Sequence, residues 1–310
     1  MKSKLRRMKK ASWVLLYVIL FVLLASLGIT MRNYVTAQIP GQSLEVSPPS
    51  QEVSIDPGKT VTIRAKIRNH SNDTLPMSVR IEDFTAKGDD GQVALSSNSP
   101  YSITSWTNVT PKTFSLAPGG EKEVTATITA PKDAAGGHFG SFVFSVTPEE
   151  GTKNAASVSQ EIASLFLTRV SGPVNEKLAL TSLNAPSYSE FGPVPLQLKF
   201  NNSGNVYVKT FGLINVTDMF GKKVADIVVP ATNVFPQAER VVKANLNKQF
   251  LFGNYSATAI MYYGSQNETL TATTNFFVFP TRIAAIILIV LLLLFLMRKR
   301  LGKALKALFG

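Results

Sequence analysis

Val61-Thr62-Ile63-Arg64-Ala65-Lys66-Ile67-Arg68 sets an apolar residue at every second position against Thr, Arg and Lys. A period of two sends alternate side chains to opposite faces of a pleated chain, so this stretch reads as a strand with one face buried. The same alternation recurs at Met77, Val79 and Ile81, at Val124, Ala126 and Ile128, and at Phe142, Phe144 and Val146. Two strands are entered through turns built alike, Ser54-Ile55-Asp56-Pro57-Gly58 and Ser115-Leu116-Ala117-Pro118-Gly119. Proline presets φ at the first central position of a type II turn, and glycine supplies the positive φ needed at the second. Short strands joined in this way, with no helical period between them, predict a β-sandwich over residues 41–148.

Residues 149–160 are polar and without period, either a long hairpin loop or part of a domain junction. A second block, residues 161–279, repeats the pattern. Val194, Leu196, Leu198 and Phe200 alternate with polar partners, and Pro195 marks that strand as an edge. Val206–Val216 and Val224–Val229 flank Phe220-Gly221-Lys222, the mark of a hairpin, and Gly253–Tyr263 and Leu270–Phe279 complete the set. The expected fold class is therefore all-β, with two tandem Ig-like β-sandwich domains. No cysteine is present, so neither domain is stapled by a disulfide.

The two ends are of another character. Residues 1–37 hold seven basic residues and those from Arg282 onward hold six, with no acid in either segment. Between them the chain carries 19 basic and 20 acidic residues, too neutral for a domain that binds nucleic acid through a basic face. A basic start, the apolar run Ala11–Met31 and the small-x-small site Val35-Thr36-Ala37 describe a signal peptide cut between Ala37 and Gln38. The run is also long enough to remain as an uncleaved anchor helix. At the far end, residues 281–297 form an apolar transmembrane segment, followed by a basic tail, 298–310. Positive charge before the first segment and after the second puts both in the cytoplasm and exports the middle. The tail is either an amphipathic helix on anionic headgroups or a plain stop-transfer signal.

Chemistry is sparse. The only histidines are His70 and His138, without ligand spacing, and no phosphate-binding glycine loop is present. His138 precedes Ser141 by three residues, but the Gly-x-Ser-x-Gly elbow is missing and a glycine-flanked strand entry explains the segment better. Glu82-Asp83 and Asp89-Asp90-Gly91 lack calcium-loop spacing, and Asp-Asp-Gly reads as a turn. The expectation is a protein that is no enzyme and needs no metal or cofactor. For binding, the candidates are Tyr101 and Trp106, aromatics in a stretch poor in alternation. There they either face outward to stack on a ligand or fill the core. Seven Asn-x-Ser/Thr sequons, at Asn69, Asn72, Asn108, Asn201, Asn215, Asn254 and Asn267, matter only where N-glycosylation operates.

Several stretches together resemble the WxL-interacting surface proteins of Gram-positive bacteria. They are Ile55-Asp56-Pro57-Gly58-Lys59-Thr60-Val61, Asn69-His70-Ser71-Asn72, Asp90-Gly91, Leu116-Ala117-Pro118-Gly119, Ala130-Pro131-Lys132-Asp133-Ala134 and Gly136-Gly137-His138-Phe139-Gly140. In the second block they are Phe200-Asn201-Asn202-Ser203-Gly204-Asn205-Val206 and Phe220-Gly221-Lys222-Lys223-Val224. The resemblance implies a first domain that binds peptidoglycan, a second that binds a host or partner protein, and a membrane anchor. The expected function is thus a non-enzymatic cell-surface protein contacting cell-wall polymer or surface proteins. In it a sheet edge offered for strand addition would dock the protein partner of the second domain. One rival is a structural or assembly subunit, or chaperone-like protein, that binds only proteins. The other is a wall hydrolase using a carboxylate pair.

Overall fold

A computed structural model describes residues 43–147 and 160–309, with side chains described as far as Arg298. The expected cleavage site at Ala37 and Gln38, and the first apolar segment, lie outside the described residues. The protein is mostly β, its sheets facing one another as in a sandwich, with one helix at the C-terminal end.

In the first block, β1 (Leu44–Ser47), β3 (Thr60–Asn69), β8 (Glu121–Thr129) and β6 (Thr107–Thr110) form a four-stranded sheet in that order. The facing sheet runs β2 (Ser50–Ile55), β10 (Glu161–Val170), β9 (Gly136–Val146), β4 (Leu75–Lys87) and β5 (Gln92–Leu95), with β7 (Thr113–Leu116) also paired to β4. The alternating residues of β3, β4 and β8 meet Phe142, Phe144 and Phe166 in one core. Each such phenylalanine contributes about 1.5–3 kcal/mol by leaving water. Both Pro-Gly turns close with an i to i+3 bond, Lys59 N–H to Asp56 O at 3.1 Å and Gly120 N–H to Ala117 O at 2.9 Å. Gly58 and Gly119 take the positive φ the turn type demands, 72° and 67°.

β10 joins this first sheet, whereas the sequence pattern had placed everything from residue 161 in the second block. It runs antiparallel to β9 from Glu161 to Val170 and parallel to β2 from Leu165 to Val170. The stretch 149–160, expected as hairpin loop or domain junction, falls almost wholly outside the described residues; the strands on either side, β9 and β10, are neighbours in one sheet. β9 is also buried on both faces over most of its length, which period-two reading does not foresee.

In the second block, β11 (Leu178–Asn184), β13 (Val194–Asn202) and β16 (Ala238–Leu246) make a three-stranded sheet. It faces a five-stranded one ordered β12 (Tyr188–Ser189), β18 (Glu268–Val278), β17 (Gly253–Tyr263), β14 (Val208–Asp218) and β15 (Lys223–Val234). β13 is central rather than an edge strand. β11 reaches only as far as Gln197, so at Pro195 the strand is paired on one side alone, with Asn245 of β16. The core, from Leu196, Leu198 and Phe200 to Ala257 and Met261, is separate from the first.

The helix α1 spans Thr281–Phe309. Its stretch Thr281–Arg298 has a mean hydropathy of 2.4 and no burial within the protein, which makes it long and apolar enough to cross a bilayer.

Candidate functional site

The open sheet edges are the first feature to weigh, because unpaired N–H and C=O groups there can accept another strand. Among the described residues most edges are short: β1, β5, β6 and β7 have four residues each, β2 six and β12 two. β11 is broken by a register shift between Leu180 and Ser182, and the outer side of β16 is met by the first block, Val241 N–H donating to Asp89 O at 2.6 Å. β15 differs, with 12 residues and β14 as its sheet partner. Val229 points into the core while its neighbour Val228 is 77% exposed on the outer face. Val228 lies opposite Leu213, and Leu213 opposite Ile260. One row along, Phe211 and Tyr262 pair with ring centroids 5.9 Å apart. An apolar stripe thus crosses the outer face and reaches the open edge. The Lys223–Asp226 ion pair and Pro230 mark the two ends of the accessible stretch.

The second feature is the joint between the blocks. Phe139, fully buried, is its hub, 5.7 Å from Phe84, 5.1 Å from Phe235 and 6.2 Å from Tyr207 between ring centroids. The glycine run before it has a purpose. A Cβ at Gly136 would stand 2.9 Å from Asn205 O, and one at Gly137 would stand 3.2 Å from the Val206 Cα, so bare backbone is needed for this approach. Gly137 N–H donates to Asn205 O at 3.0 Å, and Asn205 holds Asn175 N–H and Pro173 O through its side-chain amide. At the rim, Glu52 accepts from Lys209 and Asn233 across the joint. Burial pushes the Glu52 carboxyl up, but these two bonds outweigh it and hold it below its ordinary value. Burial raises the Tyr207 phenol to about 12.

The residues singled out by sequence are placed as follows. Tyr101 lies half-buried against Phe139, ring centroids 5.6 Å apart, at the margin of the joint. Trp106 ends a short 3₁₀ turn, Thr104–Trp106, and packs against the first core with its ring 4.2 Å from that of His138. Asp83 explains why the loop is ordered: it accepts from the Ser102 hydroxyl, from the Ile103 and Thr104 N–H groups, and from the Thr104 hydroxyl. Glu82 turns the other way, to Arg80. His138 Nδ1–H donates to Ser102 O, while Ser141 donates to Glu82 O on the opposite face of β9, so they form no base–nucleophile pair. Asp90 caps its own turn at Gln92. No group of metal-ligating side chains exists among the described residues. A depression of about 590 Å³ beside Asp83 is lined by Ile81 and Leu95 as well as by hydroxyls, including Ser96, Ser97 and Ser105. Among the sequons, Asn69 is fully buried, its amide spent on three backbone carbonyls, so it is closed to a glycan.

No family model and no curated protein matches the chain. Among solved structures it is similar to the class 5 fimbriae chaperone CfaA at 16% identity, over 75% of this chain and 98% of that one, TM-score 0.38. It is similar to the E. coli chaperone DraB at 14%, over 76% and 95%, TM-score 0.33. A PapD-like domain of human CEP192 matches at 13%, over 46% and 95%, TM-score 0.32. The resemblance to WxL-interacting proteins, and the peptidoglycan and cell-wall binding inferred from it, is corrected by these findings: the solved structures it is similar to include fimbrial chaperones and a PapD-like domain. The physical reason is that the stretches carrying that resemblance are architectural. Pro57-Gly58 and Pro118-Gly119 are turns, Asn69 is a buried clamp, and Gly136-Gly137 admits Asn205. Such devices belong to many β-sandwiches and name no ligand.

Proposed function

We propose that the chain is a membrane-anchored, non-enzymatic protein that binds protein partners on the outer side of the membrane. Two tandem Ig-like sandwiches, the first extending to Val170 through β10 and the second covering Leu178–Val278, make up the exported part. α1 anchors them, and the basic tail, residues 298–310, faces the cytoplasm, as the positive-inside rule requires. The binding mode is strand addition: an extended segment of a partner pairs with β15, its side chains lying against Val228 and the apolar stripe behind it. The single observation that carries this reading is the long edge of β15 with Val228 standing free. Backbone pairing supplies affinity without sequence demands, and the stripe selects apolar residues at alternate positions of the partner.

The test is a photo-crosslinking amino acid placed at Val228 in cells of the source organism, with Thr273 on the same outer face as control. A discrete protein adduct at Val228, absent at Thr273 and lost when Ala225 is replaced by proline, supports the reading. Adducts of equal yield at both positions, or none at either, overturn it.

A further inference from the structure

The end of the second block that carries α1 also carries the most exposed aromatic side chains of the exported part. Phe220 is 87% exposed, Phe250 89% and Phe252 67%. The strand register explains why they are together. Gly253 lies opposite Val278 and Asp218 opposite Tyr255, so the β14–β15 turn, the β16–β17 loop and the exit of β18 share one end. Met219 closes onto Gly253, and the Phe252 ring stands 5.4 Å from Phe279 at the foot of the helix.

The helix leaves this end on a short, tied connection. β18 ends at Val278 and α1 starts at Thr281. The Tyr188 hydroxyl donates to Phe279 O at 2.8 Å, and Arg282 Nε lies 3.1 Å from a Glu190 oxygen. The aromatic loops therefore keep their place beside the first turn of the helix. Lys222 and Lys248, both exposed, lie two residues from Phe220 and Phe250 in sequence, so each apolar tip has a cation close by in the chain.

We infer that this end is a lipid-contacting surface, with Phe220, Phe250 and Phe252 seated at the boundary between headgroups and acyl chains of the outer leaflet. The inference rests on α1 spanning that bilayer. Exposed aromatics next to a span match the interfacial preference of such side chains, and neighbouring lysines match phosphate headgroups. Seating the loops would restrict the tilt of the exported part, so that it stands on the membrane at a set angle instead of swinging from a single helix.

The absence of cysteine makes the test direct. Full-length protein with a single cysteine at Phe220, Phe250, Ile289 or Gln266 is labelled with an environment-sensitive dye. Each is placed in vesicles of phosphatidylcholine and phosphatidylglycerol carrying a spin-labelled lipid, the label shallow for Phe220, Phe250 and Gln266 and deep in the acyl chain for Ile289. Ile289 reports the span, and Gln266, at the far turn of β17 and β18, serves as the exposed control. Quenching by at least about twofold at Phe220 and Phe250, with none at Gln266, is the expected result for residues at that depth. Quenching at Ile289 alone overturns the lipid contact but leaves the anchor standing. Quenching at none overturns both. Dye shifts at Phe220 that follow protein density rather than the spin label overturn the lipid contact in favour of a second copy of the chain.

Discussion

Asn69 and Asn202 hold equivalent posts, each the last residue of a strand, β3 and β13, and each fully buried. Both amides donate to the carbonyl four residues on, Asp73 O at 2.7 Å and Val206 O at 2.9 Å. Each also reaches across the fold, Asn69 to Leu116 O and Ala117 O, Asn202 to Val234 O. Removing the side chain strands the buried carbonyl of Leu116 in the first case and those of Val206 and Val234 in the second, so Asn69→Ala or Asn202→Ala should cost about 1–3 kcal/mol. Urea denaturation of the full chain in detergent measures this, and a loss of only a few tenths would show that water replaces the amide. His138 gives a pH signature at the same scale. Its burial lowers the pKa below the ordinary 6.5, against weaker opposing contributions from the Ser102 and Ala135 carbonyls and from Asp83. The unfolded imidazole takes up a proton as the pH falls through 6.5, whereas the folded one does so only at lower pH. Stability is therefore full above that value and declines as the pH falls toward the folded pKa. His138→Gln should flatten the stability profile between about pH 7 and 5, which denaturation midpoints across that range would reveal.

At the scale of elements, the strands of the first block were legible from residues such as Val61–Ile67 because a half-buried strand writes its period directly into the chain. The Pro-Gly turns were legible for the same local reason. β10 was not: it pairs with β2, more than a hundred residues earlier, and nothing in Glu161–Val170 names that neighbour. β9 hid its double burial because Ser141, Ser145 and three glycines carry no apolar signal, yet all are packed. The glycines in Gly136-Gly137-His138-Phe139-Gly140 were visible as a motif, but the contacts of Gly136 with Asn205 and of Gly137 with Val206 exist only once the blocks meet, and Gly140 instead gives room to Phe166 and Ile103. The candidate site was the least legible part. Val224–Val229 read as half of a hairpin, and its position at the end of a sheet is a property of strand order, which sequence period does not encode.

At the scale of the whole molecule, the Phe84, Phe139, Tyr207 and Phe235 cluster joins two cores that are otherwise distinct. Phe235 belongs to the turn between β15 and β16 and meets the first block through its ring. Truncating it removes aromatic contacts on one side of the joint while sparing both cores. Phe235→Ala should cost about 3 kcal/mol or less and split one cooperative unfolding transition into two, read by calorimetry. A single transition shifted as a whole would mean that the Glu52–Lys209 and Asn205 contacts suffice to couple the blocks.

Two residues separate β18 from α1, and β18 is an interior strand, flanked by β12 and β17. With α1 spanning the bilayer as proposed above, a chain delivered across the membrane from its amino end would present β18 last, still tethered at the mouth of the channel by the apolar segment behind it. The five-stranded sheet can then close only as that segment slips sideways into lipid. Maturation of the second block and release of the chain thus become one event, while the first block, complete once residue 170 has emerged, is free to form well before.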